Sequence, residues 1–216
     1  MKKNILLPLA VLAGLSSTVM ADPVYNTAPS AYSEVPSVTS YPYIGVAFAL
    51  TSVSDDYFEY DPNYGYTDHT DIDYNALMFQ AGYQINPYIA AEFRYWFSLN
   101  SGDYSTNTLN PLLPSAYDSF DAWGIYVKPM YPVTPEFLVY GLLGFSGVTV
   151  DGEPGYWDLL YNDGDFSWGI GASFDVTPNI ALFVDYVELF NDTLDFYDYS
   201  QDTKVNTFNF GVTYKF

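Results

Sequence analysis

The 216-residue sequence contains no cysteine, one histidine and only six lysines and arginines. Without cysteine there is no disulfide, no thiolate metal site and no cysteine nucleophile. So few cations exclude nucleic acid as a partner, because such binding depends on Lys and Arg neutralising phosphates. No apolar run reaches the ~20 residues of a membrane-spanning helix. No phosphate-loop, dinucleotide or zinc motif is present, which gives no ground for a cofactor.

Acids and aromatics are abundant instead: 26 Asp and Glu, and 20% Phe, Trp and Tyr. Acidity with few aromatics would indicate a disordered chain, and this aromatic content excludes that reading. Residues 1–21 carry Lys2 and Lys3, an apolar run from Ile5 to Leu15, and small residues before Ala21-Asp22. That is the pattern of a secretory signal peptide. The rival reading, a membrane helix, fails on length, since the run is about half the ~20 residues needed. With the signal set aside, Arg94, Lys128, Lys204 and Lys215 face 26 acids, a net charge near −22 (4 minus 26). Residues 22–40 are rich in Pro, Ser, Ala and Thr without periodicity, and read as a flexible lead-in. Residues 41–216 are a length compatible with one domain.

The most regular stretch is Thr207 to Phe216. Phe208, Phe210, Val212, Tyr214 and Phe216 alternate with Asn209, Gly211, Thr213 and Lys215. A period of two is a β-strand with one oily and one polar face. The same alternation predicts strands over Tyr43–Val53, Asp73–Ile85, Tyr88–Ser98, Phe120–Pro132, Asp165–Val176 and Ile180–Phe190. Phe137–Val150 is apolar on both parities, and its Gly141, Gly144 and Gly147 predict a bulge. Four acidic loops are expected at Ser54–Asp71, Leu99–Ser119, Asp151–Gly164 and Asn191–Thr203. They alternate with three short turns containing Pro87, Pro135 and Pro178.

An alternating last strand that ends on Phe resembles the insertion signal of a bacterial outer-membrane barrel. The chain resembles the small OmpA-like or porin family, the eight-stranded outer membrane protein beta-barrel domain. The resemblance implies an all-β, eight-stranded antiparallel up-and-down transmembrane β-barrel. The lead-in and short turns would be periplasmic and the long loops extracellular. It implies outer-membrane lipids, including lipopolysaccharide, as surroundings, and the barrel-assembly machinery as a partner during insertion through Phe208, Phe210, Val212, Tyr214 and Phe216. An extracellular ligand is left open.

A soluble lipocalin-like barrel or a sandwich shares the strand pattern but buries its apolar face. The membrane reading is favoured by the small, Gly-rich polar face, which suits a cramped eight-strand lumen. It is also favoured by aromatics at strand ends, such as Tyr43, Tyr83, Tyr131 and Phe120. Twenty of the 26 acids fall in or beside the long loops. On the polar strand faces Arg94, Lys128 and Lys215 balance Glu92, Asp175 and Asp185. Charges within a low-dielectric wall need partners, so this set predicts a salt-bridged plug in which Glu92, Arg94 and Lys128 meet. The expected role is structural or interactive at the surface. The alternative is a minor pore for small solutes or cations, drawn by an acidic mouth.

Candidate chemistry is thin. His69, Asp118 and Ser119 resemble the scatter of a loop His and an Asp-Ser pair in an outer-membrane lipid A acyltransferase. This chain lacks that enzyme's amphipathic amino-terminal helix, and three common loop residues make a plain solvated surface. The expectation is a non-enzyme. The acidic loops, densest at Asn162-Asp163-Gly164-Asp165, offer oxygen ligands for Ca²⁺ or Mg²⁺, but no full calcium-loop pattern is present. A hydrated surface is the plainer account, and no metal site is assigned. Loop tyrosines such as Tyr57, Tyr60, Tyr156 and Tyr197 fit either a recognition surface or loop self-packing.

Overall fold

A computed structural model describes residues 40–59, 66–101, 103–106, 117–152, 164–195 and 199–216. The signal peptide, nearly all of the lead-in, Tyr60, Tyr156, Tyr197 and Asp163 lie outside the described residues. The elements are β1 (Tyr41–Glu59), β2 (Tyr66–Asn86), β3 (Ile89–Ser98), β4 (Asp103–Thr106), β5 (Tyr117–Pro132), β6 (Phe137–Gly152), β7 (Asp165–Thr177), β8 (Ile180–Asp195) and β9 (Tyr199–Lys215). All pairings are antiparallel, and no helix occurs among the described residues.

Each long strand pairs with its neighbours in sequence, and β1 pairs with both β2 and β9, which closes the sheet. The result is an eight-stranded antiparallel barrel. The short β4 pairs with β2 at Thr70–Asp73, continuing the β3 lane beyond Ser98. Tight turns gather at one rim. There Tyr88 N donates to Asn86 Oδ1 at 2.8 Å, Phe137 N to Thr134 Oγ1 at 3.0 Å and Ile180 N to Thr177 Oγ1 at 3.0 Å. These side chains take up backbone donors that a tight turn leaves unpaired. The last strand is fastened at this rim by Lys215 N to Asn179 O, 2.8 Å, and Phe216 N to Pro42 O, 3.1 Å.

The alternation sets what faces where. Ile44, Val46, Phe79, Phe93, Ile125, Val127, Ile170, Leu182, Phe208 and Phe210 point outward, each about half exposed. A continuous apolar belt of this size is dry only in hydrocarbon. Tyr43, Gln80, Glu92, Arg94, Lys128, Asp185 and Asn209 point inward and are buried.

Past Leu50, Leu77 and Phe208 the polarity inverts. The outward positions become Ser52, Asn75, Asp73, Asn206 and Lys204, while the inward ones become Val53, Ile72, Tyr74 and Val205, at most 5% exposed. Phe120 stacks on Tyr74 here, ring centroids 5.7 Å apart. The barrel therefore has two cores: polar beneath the apolar belt, apolar beyond it, as each surrounding solvent requires.

Several expectations are corrected. The anticipated loop at Ser54–Asp71 is largely ladder, with β1 and β2 paired out to Glu59↔Tyr66. Likewise β8 and β9 stay paired to Asp195↔Ser200 within the anticipated loop Asn191–Thr203. Backbone pairing needs no lipid, so the ladder continues after the apolar alternation ends. The β6 register is unbroken from Phe137 to Val150, with Tyr140, Leu142, Ser146 and Val148 inward, so the predicted bulge is absent there. Register shifts occur elsewhere, among them one on β8, where Glu188 and Phe190 flank Leu189, which has no partner in the β9 ladder. Ser146 Oγ donates to the Leu189 carbonyl and Ser167 Oγ to the Glu188 carbonyl, the latter at 2.6 Å. Tyr43 and Phe120, expected among the interfacial aromatics, point into the lumen, 5% and 0% exposed.

Candidate functional site: a charge network across the lumen

β3 alternates Ala90, Glu92, Arg94 and Trp96 into the lumen because its odd positions, Phe93, Tyr95 and Phe97, take the outer face. Arg94 is fully buried and reaches across the barrel to β8. Its two terminal nitrogens donate to Asp185 at 3.0 and 2.7 Å, and its Nε donates to Glu92 Oε1 at 2.6 Å. Lys128 on β5 donates to Glu92 Oε2 at 2.9 Å. Two cations and two anions thus cancel in one buried cluster, the condition under which charge persists in a low-dielectric interior.

Neutral donors saturate the remaining oxygens. Tyr43 hydroxyl donates to Glu92 at 2.6 Å, and Tyr140 hydroxyl to Asp185 at 2.7 Å. Asn209 Nδ2 donates to Asp185 at 2.8 Å and its Oδ1 accepts from the Trp96 indole at 2.9 Å. The Lys128 ammonium also sits 4.0 Å from the Tyr140 ring centroid and 5.6 Å from that of Tyr43. Side chains of β1, β3, β5, β6, β8 and β9 are thereby strapped together across the lumen.

Glycines make room for the two tyrosines. A Cβ at Gly82, paired with Tyr43, would lie 2.7 Å from the tyrosine Cε2, and one at Gly171 would lie 2.6 Å from Tyr140 Cζ. The rings lie flat over these gaps and so aim their hydroxyls at the carboxylates. Tyr140, Trp96 and Asn209 were not assigned to the network from the sequence, and Tyr43 was expected at the membrane interface instead. The signal is the cross-strand Tyr–Gly pairing, visible only once the register is known.

Asp175 and Lys215 form a separate pair at 2.6 Å, near the turn rim, with Lys215 5.9 Å from the Tyr41 ring centroid. Phe208, Phe210, Val212, Tyr214 and Phe216 all face outward, 41–64% exposed. Lys204 lies on the outer wall, with Glu188 Oε2 3.0 Å from its ammonium.

His69 is on the outward face of the β1–β2 extension. Its Nδ1 lies 2.5 Å from Asp56 Oδ1 and its Nε2 2.9 Å from Asp71 Oδ2. Ser54 donates to Asp71 at 2.8 Å. The hydrogen bonds to Asp56 and then Asp71 raise the imidazole above its ordinary value. Both ring nitrogens are engaged by carboxylates, so neither is turned to a substrate proton. Ser119 lies on β5, and the Asp118 side chain is outside the described residues. Among the described residues no group of three or more His, Asp or Glu side chains is arranged to hold a metal ion.

The family model for the outer membrane protein beta-barrel domain matches residues 7–216. The chain belongs to this family. It is an integral protein of the bacterial outer membrane. The turn rim is therefore periplasmic and the opposite end extracellular. No curated protein matches. The outer membrane protein AlkL in lipid bilayers is 14% identical over 91% of this chain and 97% of that one, with a TM-score of 0.54. OprG from Pseudomonas aeruginosa is 12% identical over 82% and 96%, TM-score 0.52. The outer membrane protease OmpT from Escherichia coli is 12% identical over 84% and 99%, TM-score 0.52. At these identities the likeness is one of fold.

Proposed function

We propose that this protein is a closed, non-catalytic barrel whose role is structural or interactive at the cell surface. The observation that carries the reading is the saturated Glu92–Arg94–Lys128–Asp185 cluster, which fills the lumen with charges that already have partners. A hydrated ion entering there would have to displace buried, doubly hydrogen-bonded pairs. The apolar belt sits among lipid chains, and its outer edge meets lipopolysaccharide. The strand Phe208–Phe216 supplies the assembly machinery with an alternating, lipid-facing end.

The non-catalytic part of the reading rests on His69, whose two nitrogens are engaged by Asp56 and Asp71. Lipid A composition is expected to be the same with the wild-type gene, with His69→Ala and without the gene. Purified protein in planar bilayers is expected to be electrically silent. Reproducible single-channel openings of the wild type would replace this reading with that of a minor pore.

A further inference from the structure

We propose that the lumen is a one-ended vestibule, open to the periplasm as far as Lys128 and sealed above it by two barriers of opposite chemistry. The inference rests on the closed-barrel reading and adds which side reaches the lumen and what closes it.

The vestibule is a cavity of about 30 Å³ lined by Tyr41, Gln84, Ser173, Thr213, Lys128 and Lys215, among others. That is room for a water molecule amid polar partners. Tyr41, Gln84, Ser173 and Lys215 keep partial exposure at this rim, and exposure falls to 8% at Lys128. The first barrier is the cluster itself, in which Glu92, Arg94 and Asp185 are at most 3% exposed. The second lies toward the extracellular end. Met78, Phe120, Tyr74, Leu189 and Val205 are buried there, each at most 2% exposed, with the Phe120 ring stacked on Tyr74.

The barriers fail by different means. Salt or a pH change acts on ion pairs, while an apolar collar excludes ions by refusing water. Placed in series, they make the barrel insensitive to the conditions that would loosen either one. From the outside a solute meets the apolar collar first. From the periplasm it meets a wetted pocket ending at an ammonium.

The absence of cysteine permits a direct test with near-isosteric single substitutions. Ser173→Cys places a thiol in the vestibule, and Ala122→Cys places one in the collar on the inward face of β5. A small charged methanethiosulfonate is applied to one side of oriented proteoliposomes. Ser173→Cys is expected to react from the periplasmic side alone. Ala122→Cys is expected to react from neither side and to react fully once the protein is denatured. Reaction of either thiol from the extracellular side, or an inert Ser173→Cys, overturns the proposal. Wild-type conductance overturns the closed-barrel reading instead, so the two failures are told apart. Arg94→Met, with its fold checked by circular dichroism, is expected to stay silent because the collar remains. Openings of that variant would show a single seal.

Discussion

Arg94 and Asp185, 91 residues apart in the chain, meet inside the barrel through two hydrogen bonds of 3.0 and 2.7 Å. The guanidinium matches the carboxylate as a planar fork, a geometry that Lys cannot reproduce. Both side chains are fully buried. Removing one partner leaves the other charged in a dry interior, a loss of about 3–5 kcal/mol. Arg94→Ala is therefore expected to lower unfolding stability by that order. The neutral double exchange Arg94→Met, Asp185→Asn is expected to cost less, because Glu92 keeps Lys128 as its partner and no charge is stranded. Urea unfolding in lipid vesicles, followed by tryptophan fluorescence, checks this, with Trp96 in contact with the network as reporter. Equal losses in the two proteins would refute the electrostatic account.

His69 gives the extracellular wall a pH dependence of defined sign. Its value is raised by Asp56 and Asp71, so its stabilising contribution is complete below the unfolded value, ~6.5, and lost as pH rises through the folded value. The groups around it are Asp56 and Ser54 on β1, Asp71 on β2, and Asp202, which pairs with Asp56 from β9. Without the proton these carboxylates face each other uncompensated, and like charges directly opposite destabilise a ladder. The site is partly exposed, so the effect is under ~1 kcal/mol. Hydrogen exchange of β1 amides near Asp56 is expected to quicken as pH rises, after correction for intrinsic rates. His69→Gln should remove that dependence, and an unchanged profile in the variant would sink the assignment.

The wall of this barrel was legible in the sequence because period-two alternation is a backbone property. Phe208 to Phe216 and Ile44 to Leu50 declare their outer face in every second residue. Where one face is not oily and the other not polar, the reading failed. At Phe137–Val150 both parities are apolar because Leu138, Tyr140 and Leu142 line the lumen while Val139 and Leu143 face lipid. Beyond Leu50 the alternation survives with its sign reversed, so Ser54–Asp71 resembles a loop in composition while remaining ladder. The charged residues of the lumen could be named, and Glu92, Arg94 and Lys128 were expected to meet, yet the Asp185 partner of Arg94 was not expected. Arg94 meets Asp185 by tilt and closure, which no local window contains.

Gly171 tests whether the network depends on the space beneath Tyr140. A Cβ there would collide with the Tyr140 ring at 2.6 Å and with the Asp185 Cβ at 2.5 Å. Gly171→Val is expected to push the ring aside and break the 2.7 Å bond to Asp185, at a cost of about 1.5–3 kcal/mol for the lost hydrogen bond to a charged group, with the overpacked ring adding to it. Tyr140→Phe should lose the hydroxyl alone and cost less. If both unfold with the wild-type midpoint, the tyrosine has no structural part in the cluster.

The inversion of polarity near Leu50 predicts opposite outcomes for the same substitution a few residues apart. Phe210 faces lipid, 48% exposed, so Phe210→Lys would place an ammonium in hydrocarbon at a cost of about 2–4 kcal/mol near the midplane. Asn75 lies on the outer face of β2 beyond the belt and is exposed, so Asn75→Lys is expected to fold with nearly wild-type stability. On the inner face the order reverses. Gln80, within the belt, already donates to Thr213 at 2.7 Å, whereas Ile72, beyond it, is 5% exposed in an apolar core. Ile72→Gln should therefore destabilise the extracellular half by burying an amide without a partner. Measuring the three variants by refolding yield into vesicles and urea midpoint separates the belt from the extracellular core. Should Ile72→Gln prove harmless while Asn75→Lys fails to insert, the boundary lies further out along β2 than Leu77.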